Sequence, residues 1–85
     1  MEILYAPKFK RQFKKLTRDV QLLVAGREHI FKLDPFDSRL KTHKLTGRLE
    51  GYYSFSINFS YRIIFDFKDD KNVRFYEVGD HDIYD

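Results

Sequence analysis

The sequence predicts an α+β protein in which two N-terminal helices pack on one face of a small antiparallel meander sheet. Apolar residues recur at helical spacing in the N-terminal half, and they alternate with polar residues in the C-terminal half, as in strands. The predicted elements follow in the order β-α-α-β-β-β. With 85 residues we expect a single domain, 1–85. Fifteen aromatic side chains allow so short a chain to bury a core.

The first elements are a short strand and a basic helix. Residues 2–5 are typical of a strand, and Pro7 then suits the first turn of a helix. Phe9, Phe13 and Leu16 lie at positions i, i+4 and i+7 among lysine and arginine residues. We therefore expect an amphipathic helix whose aromatic side faces the core.

A second helix is predicted after this one. Thr17 or Asp19 can cap its N-terminus, since both side chains accept hydrogen bonds from free backbone N–H groups. Apolar residues continue at helical spacing as far as Leu33. Pro35 ends the helix, because the residue before a proline avoids the α region.

Three strands are predicted in the second half of the chain. Residues 53–58, 61–67 and 73–78 each show alternating or continuous apolar character, with turns at 58–60 and 69–72. The helices should cover the apolar face of this meander. We expect the opposite face to display four polar side chains, namely Ser54, Ser56, Arg62 and Asp66.

Charge is divided unevenly along the chain. Residues 1–48 contain twelve lysine and arginine residues against five acids, whereas residues 49–85 contain four against eight. A basic half suggests a polyanionic partner, most often nucleic acid, although a solvated helix face is the alternative.

Several function classes are excluded or made improbable by the sequence. There is no cysteine, so disulfides and thiolate metal sites are impossible. Neither a glycine-rich phosphate loop nor an HExxH motif occurs, and we expect no metal and no small-molecule cofactor. No apolar run has membrane-spanning length, so we expect a soluble, cytoplasmic protein without a membrane partner.

Three groups of residues are candidates for chemistry. Arg62 lies within a strong strand pattern and can hold a phosphate, the alternative being an ion pair with Asp66 or Glu77. His81 and Tyr84 follow the last strand; they can exchange protons or stack on a base, or be ordinary tail residues.

The third group precedes the meander, where glycines allow unusual backbone conformations. Its members can border an anion site or form a solvated loop: Lys41, His43, Lys44 and Arg48.

These residues lie in motifs that resemble a known family. The run HKLTGRLEGYYSFSINFSYRIIFDF and the ending VGDHDIY resemble the RelE/ParE superfamily of type II toxin–antitoxin toxins, and in particular its RelE-like mRNA interferases. The likeness covers nearly the whole chain and includes the basic helix KFKRQFKKL. It implies a toxin that cuts mRNA in the ribosomal decoding site and is neutralised by a cognate antitoxin. The family reaction uses the 2′-OH of the RNA and needs no metal.

The resemblance also implies roles for individual residues. Arg62 matches the strand arginine that contacts the scissile phosphate, His81 a general acid or base, and Tyr84 an aromatic residue for stacking or hydrogen bonding. His43 matches a histidine that is a catalytic candidate in some members. The remaining candidates are RNA or phosphate contacts: Lys41, Lys44, Arg48, Ser54 and Ser56.

Two questions remain open at the level of the sequence. The first is which residue acts as the general base. Ser54 and Ser56 stand where some members carry two lysines, and Glu50 does not align with the glutamate base of another branch. His43 and His81 are therefore both candidates for the general base. The superfamily also contains ParE-type toxins that poison a topoisomerase. An inactive relative that only binds an antitoxin is the third possibility.

Overall fold

Two helices and a five-stranded mixed sheet build the protein, of which this computed structural model describes residues 1–84. The sheet order is β1-β5-β4-β3-β2. The helices and strands, in chain order, are β1 (Glu2–Tyr5), α1 (Pro7–Lys14), α2 (Arg18–Leu33), β2 (His43–Lys44), β3 (Tyr53–Ser56), β4 (Arg62–Phe67) and β5 (Asn72–Gly79). The predicted α+β class, with one strand and two helices before the remaining strands, is confirmed.

The sheet differs from a pure antiparallel meander in two ways. β1 runs parallel to β5, with Ile3 opposite Val73, and this pairing makes the sheet mixed. β2 is an additional strand that pairs with β3, with His43 opposite Ser54. A strand of two residues is too short to show alternation, which is why the sequence pattern did not reveal it.

Local signals in the sequence account for the helix boundaries. Pro7 opens α1, and the aromatic rings of Phe9 and Phe13 stack on the same side of this helix, 6.1 Å apart. The Thr17 side chain accepts a hydrogen bond from the Val20 N–H at 3.4 Å, so Thr17 and not Asp19 caps α2.

The core lies between α2 and the sheet. The Phe31 ring is fully buried on α2, and its centroid is 4.9 Å from those of Phe55 and Phe65 and 5.2 Å from that of Phe75. These three rings come from β3, β4 and β5, so one helix residue joins three strands. The predicted apolar face of the sheet is therefore the core face.

The opposite face of the sheet is less open than the sequence suggests. A 3₁₀ helix at His81–Tyr84, called here the C-terminal 3₁₀ helix, folds back over it. Gly79 permits this approach, because a Cβ atom there would lie 2.5 Å from Cγ2 of Ile83. Ser54 is consequently 0% exposed, and the prediction that this face displays its side chain is wrong.

The structure gives no transmembrane candidate: neither α1 nor α2 combines the length and apolar character that crossing a membrane requires, within the part of the chain described.

Candidate functional site

Arg62, the first residue of β4, is held by the turn that precedes it. Its Nη1 atom donates hydrogen bonds to the carbonyl oxygens of Asn58 at 2.8 Å, Tyr61 at 3.1 Å and Phe59 at 3.3 Å. These partners are neutral, so they fix the guanidinium without cancelling its charge. The side chain is therefore rigid and still able to attract an anion.

The alternative role of Arg62, an ion pair with Asp66 or Glu77, is wrong. Asp66 binds Arg74 at 3.2 Å, and Glu77 binds Lys8 at 3.2 Å. Among residues 1–84 no carboxylate forms an ion pair with Arg62.

A cavity of about 320 Å³ lies beside Arg62, between the β3–β4 turn and α2, and we call it the basic cavity. It brings together three residues that the sequence analysis selected: Lys41, Ser56 and Arg62. Lys41 has a left-handed backbone conformation, with φ of 54°, directly after the 3₁₀ helix Ser38–Leu40. The other lining residues are Arg27, Arg39, Ile57, Asn58 and Phe59.

One of the four cations lining this cavity is paired with an acid. Arg39 binds both carboxylate oxygens of Asp37, through Nε at 3.0 Å and Nη2 at 2.9 Å. The side-chain hydrogen bond from Arg39 lowers the pKa of Asp37 to about 2, with a backbone hydrogen bond and the charges of Arg39 and Arg27 adding to the effect. The Asp37 carboxylate is thus ionised throughout the neutral pH range and compensates Arg39.

A second cluster joins the C-terminal 3₁₀ helix to the sheet, and we call it the tail cluster: Arg48, Ser54 and Tyr84. The Tyr84 hydroxyl donates a hydrogen bond to Oγ of Ser54 at 3.0 Å. The Arg48 guanidinium donates through Nη2 to the Tyr84 carbonyl oxygen at 2.7 Å. The chain therefore crosses the sheet from Gly79 on β5 to Ser54 on β3, which positions Tyr84 firmly.

Both histidine candidates are exposed. His43 lies on β2 opposite Ser54, and its Nδ1 atom is 3.2 Å from the Lys41 carbonyl oxygen. His81 begins the C-terminal 3₁₀ helix, two residues after Gly79, which is the cross-strand partner of Arg62. His43 thus lies on the edge strand β2 and His81 just beyond the end of β5, with β3 and β4 between these two strands.

Lys44 is the candidate that the fold separates from the others. It is the cross-strand partner of Tyr53, so it belongs to the helix side of the sheet, whereas its neighbour His43 belongs to the side of Ser54. The alternation of a strand accounts for this separation.

Five residues of the basic cavity were not selected from the sequence, and three of them carry a charge or an aromatic ring: Arg27, Arg39 and Phe59. Arg27 and Arg39 fit the pattern of solvated helix and loop cations, and nothing in the sequence distinguishes them. Phe59 did carry a signal, since a phenylalanine between Asn58 and Ser60 places a large apolar side chain in a turn.

Comparison with known proteins shows similarity in structure only. No family model matches the chain, and no curated protein matches it in sequence. YafQ from E. coli strain BL21(DE3) is similar, with a TM-score of 0.81 and 18% identity over 98% of this chain and 96% of that chain. A YoeB/ParE toxin from Agrobacterium tumefaciens has a TM-score of 0.80 and 15% identity over 95% and 99%.

A third similar structure is the E. coli DinJ–YafQ toxin–antitoxin complex. Its TM-score is 0.69, with 22% identity over 96% of this chain and 93% of that chain. All three likenesses extend over nearly the whole of both chains. The protein therefore has the fold of these YafQ and YoeB/ParE toxin structures, and this agrees with the toxin fold that the motifs in its sequence predict.

Proposed function

We propose that the protein is the toxin of a type II toxin–antitoxin pair, a ribosome-dependent endoribonuclease that cleaves mRNA in the cytoplasm and so inhibits translation. One observation carries the proposal: Arg62, free of any acid among residues 1–84, lies in a cavity lined by three further cations. A rigid guanidinium in a basic cavity is suited to a phosphodiester. The fold shared with YafQ and YoeB supports the same reading.

The proposed reaction uses the 2′-OH of the RNA itself as the nucleophile. The 2′-oxygen forms a bond to the adjacent phosphorus, and the bond from phosphorus to the 5′-oxygen breaks. A base removes the 2′ proton, and an acid gives a proton to the leaving 5′-oxygen. Arg62 stabilises the charge that builds up on the phosphate. We assign the proton transfers to His81 and His43, which lie on the two sides of β3 and β4.

The remaining candidates receive supporting roles. Lys41 and Ser56 share the basic cavity with Arg62, and we assign them to phosphate binding. Tyr84 contacts the RNA by stacking or hydrogen bonding, and Ser54 and Arg48 hold it in place. Lys44, on the other side of the sheet, is a contact to ribosomal RNA.

A cognate antitoxin is the proposed protein partner. The similar YafQ chain forms a toxin–antitoxin complex with DinJ. Here the basic first half of the chain favours an acidic or amphipathic antitoxin segment.

The test is primer extension on a defined mRNA held in translating ribosomes. We expect the wild-type protein to cut at the decoding site and Arg62→Ala to lose cutting by at least a hundredfold. Arg18→Ala, which removes an exposed arginine at the start of α2, should leave the cut unchanged.

Intact mRNA with the wild-type protein would reject the nuclease. Stabilised topoisomerase cleavage complexes would then identify a ParE-type poison. Unimpaired growth without antitoxin would identify an inactive relative.

A further inference from the structure

The basic cavity extends past the residues assigned to cleavage, toward Arg27 on α2 and Phe59 in the β3–β4 turn. We infer that these two residues form a subsite for the nucleotide next to the scissile phosphate. Arg27 and Lys41 hold the phosphate of that nucleotide, and Phe59 stacks on its base. The inference rests on the proposed function, since it places mRNA in the same cavity as Arg62.

The charge of Arg27 is available to a ligand. Its Nε donates to the Ile57 carbonyl oxygen at 3.1 Å, and its Nη1 to the Arg39 carbonyl oxygen at 3.4 Å. Both partners are neutral, as they are for Arg62. Within the described chain, Arg27, Lys41 and Arg62 form no ion pair, and no acid lines the cavity. Three cations without an ion-pair partner around one cavity favour a phosphate.

Phe59 is 92% exposed at the tip of the turn. The turn is well fixed, because Oδ1 of Asn58 accepts hydrogen bonds from the N–H groups of Ser60 at 2.9 Å and Tyr61 at 2.8 Å. Arg62 also binds the Phe59 carbonyl oxygen. The fixed turn thus presents the Phe59 ring to solvent, where a base that stacks on it would cover it.

These two features together select single-stranded RNA. A phenylalanine ring requires an unstacked base, which a regular duplex does not offer, and the cations require a phosphate beside it. Phe59 has no hydrogen-bonding group to read a base edge, so stacking there tolerates any base. We therefore assign the subsite to the mRNA and expect it to add affinity without sequence preference.

The test measures binding of a short fluorescent mRNA-like oligonucleotide with 2′-O-methyl groups at every position, by fluorescence anisotropy. This RNA cannot be cleaved, so the result does not depend on nuclease activity. We expect Phe59→Ala to weaken binding about tenfold, the usual effect of losing one stacked base. Phe59→Tyr should retain wild-type binding. Leu22→Ala, at a residue 59% exposed on α2 outside the cavity, is the matched control and should change nothing.

The charge is tested by repeating the titration at several salt concentrations. Arg27→Gln should reduce the slope of log affinity against log salt by about 0.7, as expected for one lost phosphate contact on a single strand. Arg27→Lys should keep the slope, and Arg18→Gln is the control. Thermal unfolding of each variant separates lost binding from lost fold.

Three results would overturn the subsite. The first is that Phe59→Ala and Arg27→Gln both bind the oligonucleotide within twofold of the wild type. If the wild type still cuts mRNA in that case, the subsite is rejected and the proposed nuclease function is retained. The second is no binding of the oligonucleotide by the wild type at low salt. The third is an effect seen only with ribosomes, which would assign the contact to ribosomal RNA and not to mRNA.

Discussion

At the scale of single residues, Arg62 combines a structural and a chemical role. One nitrogen binds three carbonyl oxygens of the turn, and the residue also lines the basic cavity. Hydrogen bonds from a charged donor contribute about 1.5–3 kcal/mol to stability. Any loss of cleavage in Arg62→Ala must therefore be read beside the variant's free energy of unfolding.

The hydrogen bond between Tyr84 and Ser54 can be measured by a double-mutant cycle. Tyr84→Phe and Ser54→Ala should each lower the free energy of unfolding by about 1 kcal/mol, because each removes one hydroxyl of the pair and leaves the other without its hydrogen-bond partner. The double variant should lose little more than either single one, a coupling of about 0.5–1.5 kcal/mol. Urea denaturation measures all four proteins. Strictly additive losses would show that the bond does not stabilise the folded state.

At the scale of elements, the C-terminal 3₁₀ helix depends on a glycine in the strand below it. Gly79→Ala would bring a methyl group to 2.5 Å from Cγ2 of Ile83, so the Ile83 side chain must shift, and we expect the neighbouring Tyr84 to shift with it. We expect a loss of about 1–3 kcal/mol in stability, as for other overpacked sites, and a fall in mRNA cleavage. Both should be assayed together, by denaturation and primer extension.

Two further variants serve as controls for Gly79→Ala. Ile83→Ala in the Gly79→Ala background removes the clash and should restore part of the cleavage. Gly26→Ala, at a helix position with nothing within 4 Å of the new Cβ, should instead raise stability by about 0.5–1 kcal/mol. Full cleavage by Gly79→Ala would contradict the expected effect of the clash on Tyr84.

Elements with a strong local pattern were predictable, and those that depend on distant partners were not. Thr17 and Pro35 set the two ends of α2 through local effects, a side-chain cap and a backbone restriction. The alternation at 53–58 and 61–67 predicted β3 and β4, although both strands are shorter than predicted. β2 has two residues and exists only because β3 accepts it. The burial of Ser54 likewise depends on a segment thirty residues away.

The residues of the candidate site also divide into those with a local sequence signal and those placed by distant packing. Arg62 and Tyr84 lie in recognisable motifs, and the structure places them in the basic cavity and the tail cluster. Arg27 belongs to a helix far from those motifs in sequence, so its place in the cavity follows from packing that no local pattern records.

At the scale of the whole molecule, stability depends on Phe31 at the junction of α2 and three strands. Phe31→Ala should lower the free energy of unfolding by about 3–5 kcal/mol, because it leaves a cavity among three aromatic rings. Small domains have about 5–15 kcal/mol in total, so the variant is expected to be partly unfolded at 37 °C.

Urea denaturation or circular dichroism would measure this loss. Phe31→Leu keeps most of the volume and should cost less than about 1.5 kcal/mol. Leu33→Ala, at a residue 75% exposed on the same helix, should change stability by less than about 0.5 kcal/mol. A small loss in Phe31→Ala would show that the core closes around the missing ring.

The parallel pairing of β1 with β5 has a consequence for how the chain is made. Seventy residues separate Ile3 from its partner Val73, and closing so long a loop is among the slow steps of folding. A nascent chain can form α1 and α2 early, but Phe9 of α1 lacks its ring partner Phe75 until β5 emerges. The tail cluster joins β3 to residues beyond β5, so it assembles only then. A chain in which both helices have already formed therefore still lacks the tail cluster.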